Sequence, residues 1–386
     1  MNKISKTKKE FDQFYEETLK GEVEELEGNR KILKKRRNKQ AMITGIAALT
    51  PILIGIIFNE YFIVFFIITF IILIFGFSKL SKTYKSFEGI MKERIVRKIV
   101  TFINEDFHYA PEKHILESTF MDTKIFPKKP DKYLGDDLIW GNVYDEELSE
   151  IEKQPEIPAQ SAIPNDISES LTQVHDVKGN EAKQNTLDVP KTEIAFSEVT
   201  SIDVWTDADD KAHENVIFQG LFFDVDFNKD FEGTTVIAPK KDVLIDFKKL
   251  DIFHKQKLDM VELDNVAFNE RFTVKTTDEV RARYILTPGF MEKLLALADG
   301  SKKRASERIP NQHLKIVQSV VEKIQPYFSF KDGRMYFLLN TFQDHFEFNI
   351  DKKPNKESIY SYFEDINQAL EVVEELDLNL KLWNKG

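Results

Sequence analysis

Apolar residues recur at intervals of three and four in two segments of the chain, and an almost uninterrupted apolar stretch separates these segments. The first periodic segment runs from Phe11 to Leu33 and the second from Leu80 to Phe102. This spacing predicts amphipathic helices, since it places the apolar side chains on one helix face. We expect helices within residues 1–40 and 78–107, which either extend the apolar stretch as an antiparallel pair or lie on a membrane surface.

The apolar stretch itself consists of two runs that carry no charge. Ala41 to Phe58 contains 18 residues and Tyr61 to Phe77 contains 17. As helices, each would be about 25–27 Å long, slightly shorter than the ~30 Å hydrocarbon core of a bilayer. We favour a transmembrane hairpin of two spans over residues 41–77. A hairpin inserted from one leaflet and a buried helix pair of a soluble protein are the alternatives. A cleavable signal peptide is not expected, because about 40 mostly polar residues precede the first run.

Basic residues flank both apolar runs, whereas the connection between the runs carries only Glu60. By the positive-inside rule, this asymmetry places both flanks, and therefore both termini, in the cytoplasm. The hairpin then lies in the cell membrane, and the lipid bilayer is its partner. The flanking basic residues are Lys34, Lys35, Arg36, Arg37 and Lys39 before the first run, and Lys79, Lys82 and Lys85 after the second.

Charge is distributed unevenly along the chain. The formal net charge is −11, yet residues 1–107 carry 19 basic and 13 acidic side chains, so the remainder is strongly acidic. An acidic domain repels nucleic acid, and we expect no nucleic-acid partner. The absence of cysteine excludes disulfides, thiolate metal sites and a cysteine nucleophile.

The remaining residues, 108–386, are predicted to form one α+β domain with a largely antiparallel sheet, because strand and helix patterns do not alternate regularly. No aromatic residue occurs between Asp145 and Ala195, where acidic residues dominate. This composition predicts a disordered acidic insertion at about 144–190. Period-two alternation predicts strands at 191–201, 215–227, 234–238, 268–275, 327–330 and 335–340, and helices are expected at 288–298, 312–324 and 357–375.

Several segments resemble the bacterial family called domain of unknown function 3137. They are Phe218 to Phe223 with Asp226 to Lys229, Arg281 to Pro288, Ser329-Phe330 with Gly333, and Tyr133 to Asp137 with Gly141. The N-terminal helix and apolar hairpin are also typical of this family. The resemblance implies a membrane protein without an established activity, in which the acidic segment is an insertion within one domain.

Few residues suggest binding chemistry. Asp224, Asp226 and Asn228 resemble an oxygen-rich cation site, but the EF-hand pattern fails at Lys229 and Thr235, and a strand face exposed to water explains their alternation more simply. Ion pairing with nearby acids is likewise the simpler interpretation of two arginines that could bind an anion. These are Arg281 and Arg283. We assign no catalytic residue, metal ligand or cofactor.

These patterns favour a membrane-anchored scaffold that has no enzymatic activity and that binds a protein partner or a second copy of itself. One alternative is a ligand sensor or enzyme with a site near the 220–233 strand and the 281–288 turn, which requires Asp224, Asp226 and Arg281 to converge in a pocket. An oligomeric hairpin that forms a pore or shapes the membrane is the other alternative. A scaffold requires an exposed apolar patch or groove instead.

Overall fold

The structure is a computed structural model that describes residues 5–58, 61–144, 191–226, 231–240, 258–308, 324–341, 346–348 and 350–375. The predicted insertion beyond Tyr144, most of the helix expected at 312–324, and Asn228 lie outside these residues. The fold class is confirmed, since the described residues form helices and an antiparallel sheet.

Two long helical segments begin the fold. In each segment, a π-helical turn joins a short helix to a long one. The first contains α1 (Lys8–Phe14), a π turn (Tyr15–Leu19) and α2 (Lys20–Ile57), and the second contains α3 (Phe62–Met91), a π turn (Lys92–Val96) and α4 (Arg97–Ile103). Both segments are long and apolar enough to cross a membrane. Only 17% and 11% of their most apolar windows are buried, unlike the core helices of a soluble protein.

The polar parts of these segments pack as an antiparallel pair, which we call the helical stalk (residues 8–40 and 78–103). The ring centroids of Phe14 and Phe102 are 4.1 Å apart, and Arg94 pairs with Glu22 at 2.9 Å. Because α2 and α3 each run from the apolar stretch into the stalk without a break, the stalk extends the hairpin helices, as the first of our two alternatives required.

Within the described residues the sheet has nine strands, and every neighbouring pair is antiparallel. Their order is β1-β2-β3-β4-β9-β8-β5-β7-β6. The strands are β1 (His108–Ala110), β2 (Lys132–Tyr144), β3 (Lys191–Thr206), β4 (Ala212–Asp226), β5 (Thr234–Pro239), β6 (Asp259–Val261), β7 (Phe272–Thr276), β8 (Pro326–Lys331) and β9 (Arg334–Asn340).

In the part of the chain that the structure describes, five further helices accompany the sheet. They are α5 (Glu117–Asp122), α6 (Val266–Arg271), α7 (Glu279–Ile285), α8 (Pro288–Arg308) and α9 (Lys356–Glu375). The strand expected at 268–275 begins only at Phe272, because the Asn265 side chain caps the backbone N–H of Phe268 and starts α6. The turn expected at 281–288 is also largely helical, since Asp278 caps α7 through the N–H of Arg281.

Apolar side chains cover both faces of the sheet. Phe223 and Val225 of β4 point into the larger core, which also contains stalk residues. Phe218 and Phe222 belong to a second cluster on the other face, together with Phe120 of α5. The stalk joins the larger core directly, because the rings of Phe11 and Phe363 lie 4.7 Å apart. Stalk and sheet are therefore parts of one packed unit.

Candidate functional site

A buried charge cluster joins the stalk to strand β2. The ammonium Nζ of Lys92 lies 2.7 Å from Asp136 Oδ2, 2.7 Å from Asp137 Oδ2 and 3.2 Å from Glu88 Oε1. The hydroxyl of Tyr109 donates to the other oxygen of Asp137. Lys92 and Asp137 are 3% and 1% exposed. Groups of this kind are almost never fully buried without a partner, so the cluster is a specific link between helix and sheet.

An irregularity in β2 brings the two aspartates to the same lysine. Consecutive residues of a regular strand point to opposite faces, but the pairing of β2 with β3 shifts between Asp136 and Ile139. Asp137 has a φ of 55°, the left-handed region that a bulge uses. Position 135 suits only glycine, because a Cβ there would lie 2.5 Å from the carbonyl oxygen of Glu198.

Burial and charge act in opposite directions on Asp137. Burial raises the pKa of Asp137 to about 7, and the neighbouring Asp136 carboxylate raises it too, while Lys92 and Tyr109 oppose the rise. The pKa of Lys92 is raised above its ordinary value, because the attraction of the two aspartates outweighs the burial of its ammonium group. Lys92 therefore stays charged, and Asp137 exchanges its proton near neutral pH.

Three carboxylates in this cluster are close enough to share a cation. One carboxylate oxygen from each of Asp136, Asp137 and Glu198 lies within 4.8 Å of the other two. The ammonium of Lys92 already contacts two of them at 2.7 Å and supplies the countercharge that a metal ion would bring. The arrangement therefore fits a lysine-centred structural joint.

The sequence-predicted acidic site is not a freely hydrated strand face. Asp224 is mostly buried and accepts a hydrogen bond from Arg334 Nε at 2.6 Å, and Asp226 is half-buried opposite Arg334 on β9. Burial raises the pKa of Asp224, against the pull of Arg334. The expectation that Asp224 faces water is wrong, because the second apolar cluster covers this face of the sheet.

The predicted arginines lie far from these acids. Strands β9, β8 and β5 separate β4 from β7, after which α7 begins. At about 4.8 Å per strand, the distance from β4 to β7 is roughly 19 Å. Arg281 instead pairs with Asp278 at 3.4 Å and Glu232 at 3.9 Å. The pocket in which Asp224, Asp226 and Arg281 would converge is not formed.

Two of the basic residues that were predicted to flank the membrane form ion pairs with the domain that contains the sheet. Arg37 makes two hydrogen bonds of 2.7 Å to the carboxylate of Asp351, and Lys34 Nζ lies 3.2 Å from the same carboxylate. These cations hold the pKa of Asp351 well below its usual range. Arg30 donates to the carbonyl of Ile350 at 2.8 Å. The other predicted flanking residues are exposed: Lys35, Arg36, Lys39, Lys79 and Lys82.

An apolar groove lies near the opposite edge of the sheet. Its volume is about 510 Å³, and it is formed between the loop leading into α6 and the α7–α8 elbow. Arg283 is its only lysine or arginine among the lining residues described, and Arg283 donates to Glu279 at 2.8 Å and to the backbone carbonyl of Glu262 at 2.9 Å. The lining residues are Leu263, Asp264, Asn265, Val266, Ala267, Arg283, Leu286, Pro288 and Met291.

Sequence reasoning singled out Arg283 but missed the groove and the buried cluster. Glu88 and Lys92 are four residues apart, which is also the spacing of ordinary surface ion pairs on helices. The Gly135-Asp136-Asp137 triplet was the available signal, because a glycine before two acids suggests an irregular strand.

The comparisons with known proteins concern the C-terminal half of the chain. The model of a family described as "Protein of unknown function (DUF3137)" matches residues 216–317 and 306–378. The resemblance to this family that the sequence indicated is confirmed over residues 216–378. No curated protein and no solved structure matches the chain significantly. The DUF3137 match includes the groove, whereas the hairpin, the stalk and the Lys92 cluster lie before it.

Proposed function

We propose that this protein is a membrane-anchored scaffold that holds a binding domain at the cytoplasmic surface of the bilayer. The two helices cross the membrane as a hairpin, with both flanks in the cytoplasm. The observation that carries this proposal is the exposure of the apolar stretch, in which side chains such as Ile46, Leu53, Ile67 and Phe70 are more than half exposed. Large apolar patches on a protein surface indicate a membrane or a partner.

The contact between α2 and the domain supports this placement. Arg37 lies four residues before the first apolar run, about 6 Å along a helix. Its ion pair with Asp351 therefore brings the domain close to the expected membrane surface. The exposed Lys35, Arg36 and Lys39 face the same region and suit an anionic lipid surface.

The arrangement of charged groups favours a scaffold over an enzyme. The candidate acids and arginines lie apart on the sheet, and the Lys92 cluster is occupied by its own ion pairs. An exposed apolar groove is present instead, as a scaffold requires.

Membrane anchoring is tested by extraction of isolated membranes with alkaline carbonate. We expect the wild-type chain to stay in the membrane pellet. The substitution Ile67→Asp puts a charge in the middle of the second run and costs about 2.5–3.5 kcal/mol of insertion free energy, so it should shift protein into the supernatant. Ile32→Asp is the control, because Ile32 is also more than half exposed but lies in the stalk. Release of the wild-type chain would contradict the anchor.

Partner binding is tested by crosslinking in intact membranes. We expect the wild-type chain to retain a partner in a stoichiometric amount, or a second copy of itself. Recovery of the uncrosslinked monomer alone, at every crosslinker length, would contradict the scaffold.

A further inference from the structure

The groove between the α6 loop and the α7–α8 elbow combines an apolar floor with exposed apolar side chains at its margin. Leu263, Leu286 and Met291 are buried lining residues. Val266 on one margin is 71% exposed. On α7, the helix that contributes Arg283 to the groove, Val280 is 77% exposed and Tyr284 is 53% exposed. The volume of about 510 Å³ lies within the range of about 300–1,000 Å³ that is typical of ligand pockets.

The exposed margin distinguishes this groove from a closed pocket for a small molecule. Val280 and Tyr284 are four residues apart on α7 and therefore lie on one helix face. They add exposed apolar surface on the helix that also lines the groove, and a ligand that filled the groove alone would leave them in water. An extended partner that covers both the groove and its margin buries all of this surface.

The charge around the groove selects the kind of partner. Arg283 is close to three acidic residues, because it binds Glu279 and the backbone of Glu262, and its Nη1 lies 3.8 Å from Asp264. Asp264 has a side chain that is 98% exposed, and Glu262 and Glu279 are also exposed. One arginine does not neutralise three carboxylates, so the part of the rim that the described residues form carries a net negative charge.

We propose that this groove binds an amphipathic segment of a partner protein that presents apolar side chains flanked by lysine or arginine. The apolar side chains enter the groove and cover Val266 and Val280, and the cations face Glu262, Asp264 and Glu279. The negative rim repels an anionic lipid surface, which favours a protein segment over the membrane as the occupant. This inference rests on the proposed scaffold function and names the surface and the partner chemistry.

The test uses the full-length chain in nanodiscs of uncharged phosphatidylcholine. The probes are two fluorescein-labelled synthetic peptides of helical spacing, one made of leucine and lysine and the other of leucine and glutamate. We expect the Kd of the lysine peptide, measured by fluorescence anisotropy, to be about tenfold lower than that of the glutamate peptide at low salt, with a smaller difference at high salt.

Paired charge reversals locate the binding. The double substitution Glu262→Lys with Asp264→Lys should raise the Kd of the lysine peptide about tenfold. Glu105→Lys with Glu112→Lys is the matched control, because these exposed acids flank the edge strand β1 at the other end of the sheet and should leave the Kd unchanged. Val280→Ser removes an apolar contact at an exposed position and leaves the charge unchanged, so folding is preserved and the Kd of the lysine peptide should rise.

Equal affinity for the two peptides, or loss of affinity in the Glu105→Lys control, would overturn the inference. The result is separable from the scaffold proposal, because the peptide test needs no natural partner. If crosslinking in membranes recovers the same partner from wild type and from Val280→Ser, the scaffold proposal is supported and the groove proposal is contradicted. If the peptide binds as expected and no partner is recovered from membranes, the groove proposal is supported and the scaffold proposal is contradicted.

Discussion

Replacing Lys92 with methionine should destabilise the joint between stalk and sheet. Methionine keeps most of the side-chain volume but removes the cation that Asp136 and Asp137 share at 2.7 Å. Loss of one partner from a buried ion pair costs about 3–5 kcal/mol, since the remaining charge is left uncompensated. At about 2–4 °C per kcal/mol for a domain of this size, the melting temperature should fall by roughly 6–20 °C.

The effect should depend on pH in a defined direction. The pKa of Asp137 is about 7 in the wild type, and removal of Lys92 raises it further. At pH 5 the carboxyl is protonated and needs no cation, so the loss of stability should be smaller at pH 5 than at pH 8. Thermal unfolding followed by tryptophan fluorescence reports on this region, because Trp140 lies on β2.

The control is Lys98→Met in the same helical segment of the stalk. Lys98 pairs with Glu22, but its side chain is 39% exposed, and exposed pairs contribute at most about 1 kcal/mol. Equal losses of unfolding free energy in Lys92→Met and Lys98→Met would refute the assignment of Lys92 as a buried joint. A larger loss for Lys92→Met at pH 5 than at pH 8 would refute it as well.

Three further predictions concern other contacts. Asp137→Asn should flatten the pH dependence of the unfolding free energy. Between about pH 4 and 7, Asp137 holds a proton in the native state that the unfolded chain has released, so this residue lowers wild-type stability as pH rises. The decrease should be on the order of 4 kcal/mol, measured by unfolding titrations across this pH range. A double-mutant cycle of Arg37→Ala and Asp351→Ala should give a coupling of about 1 kcal/mol or less, because the pair is partly exposed. Gly220→Ala should cost about 2 kcal/mol or more by thermal unfolding, since its Cβ would lie 2.1 Å from the carbonyl oxygen of Leu339.

Periodic patterns were sufficient to predict the long elements. The stalk positions Phe11, Leu19, Met91 and Ile99 are all buried, as the spacing of three and four predicted. The strands predicted at 327–330 and 335–340 are joined by a hairpin turn with positive φ at Asp332 and Gly333, residue types that favour such turns. These features were predictable because each depends on residues close together in the chain.

Contacts between distant segments were not predictable in this way. The residues around Lys92 give no indication of its ion pair with Asp137, because the two residues are 45 positions apart in the chain. Arg37 looked like a topology signal, and its second role became visible only with Asp351, 314 positions away. Strand alternation predicted that Phe223 and Val225 face a core, but it gave no indication that the opposite face was also covered by Phe120.

The central claim, a hairpin that crosses the membrane with both flanks in the cytoplasm, is tested most directly by cysteine labelling. The chain contains no cysteine, so a single introduced thiol is unambiguous. We predict that a membrane-impermeant maleimide labels Asn59→Cys on intact cells, whereas Lys35→Cys and Glu112→Cys react only after permeabilisation. Protection of Asn59→Cys until the cells are permeabilised, or labelling of Lys35→Cys from outside, would contradict the account.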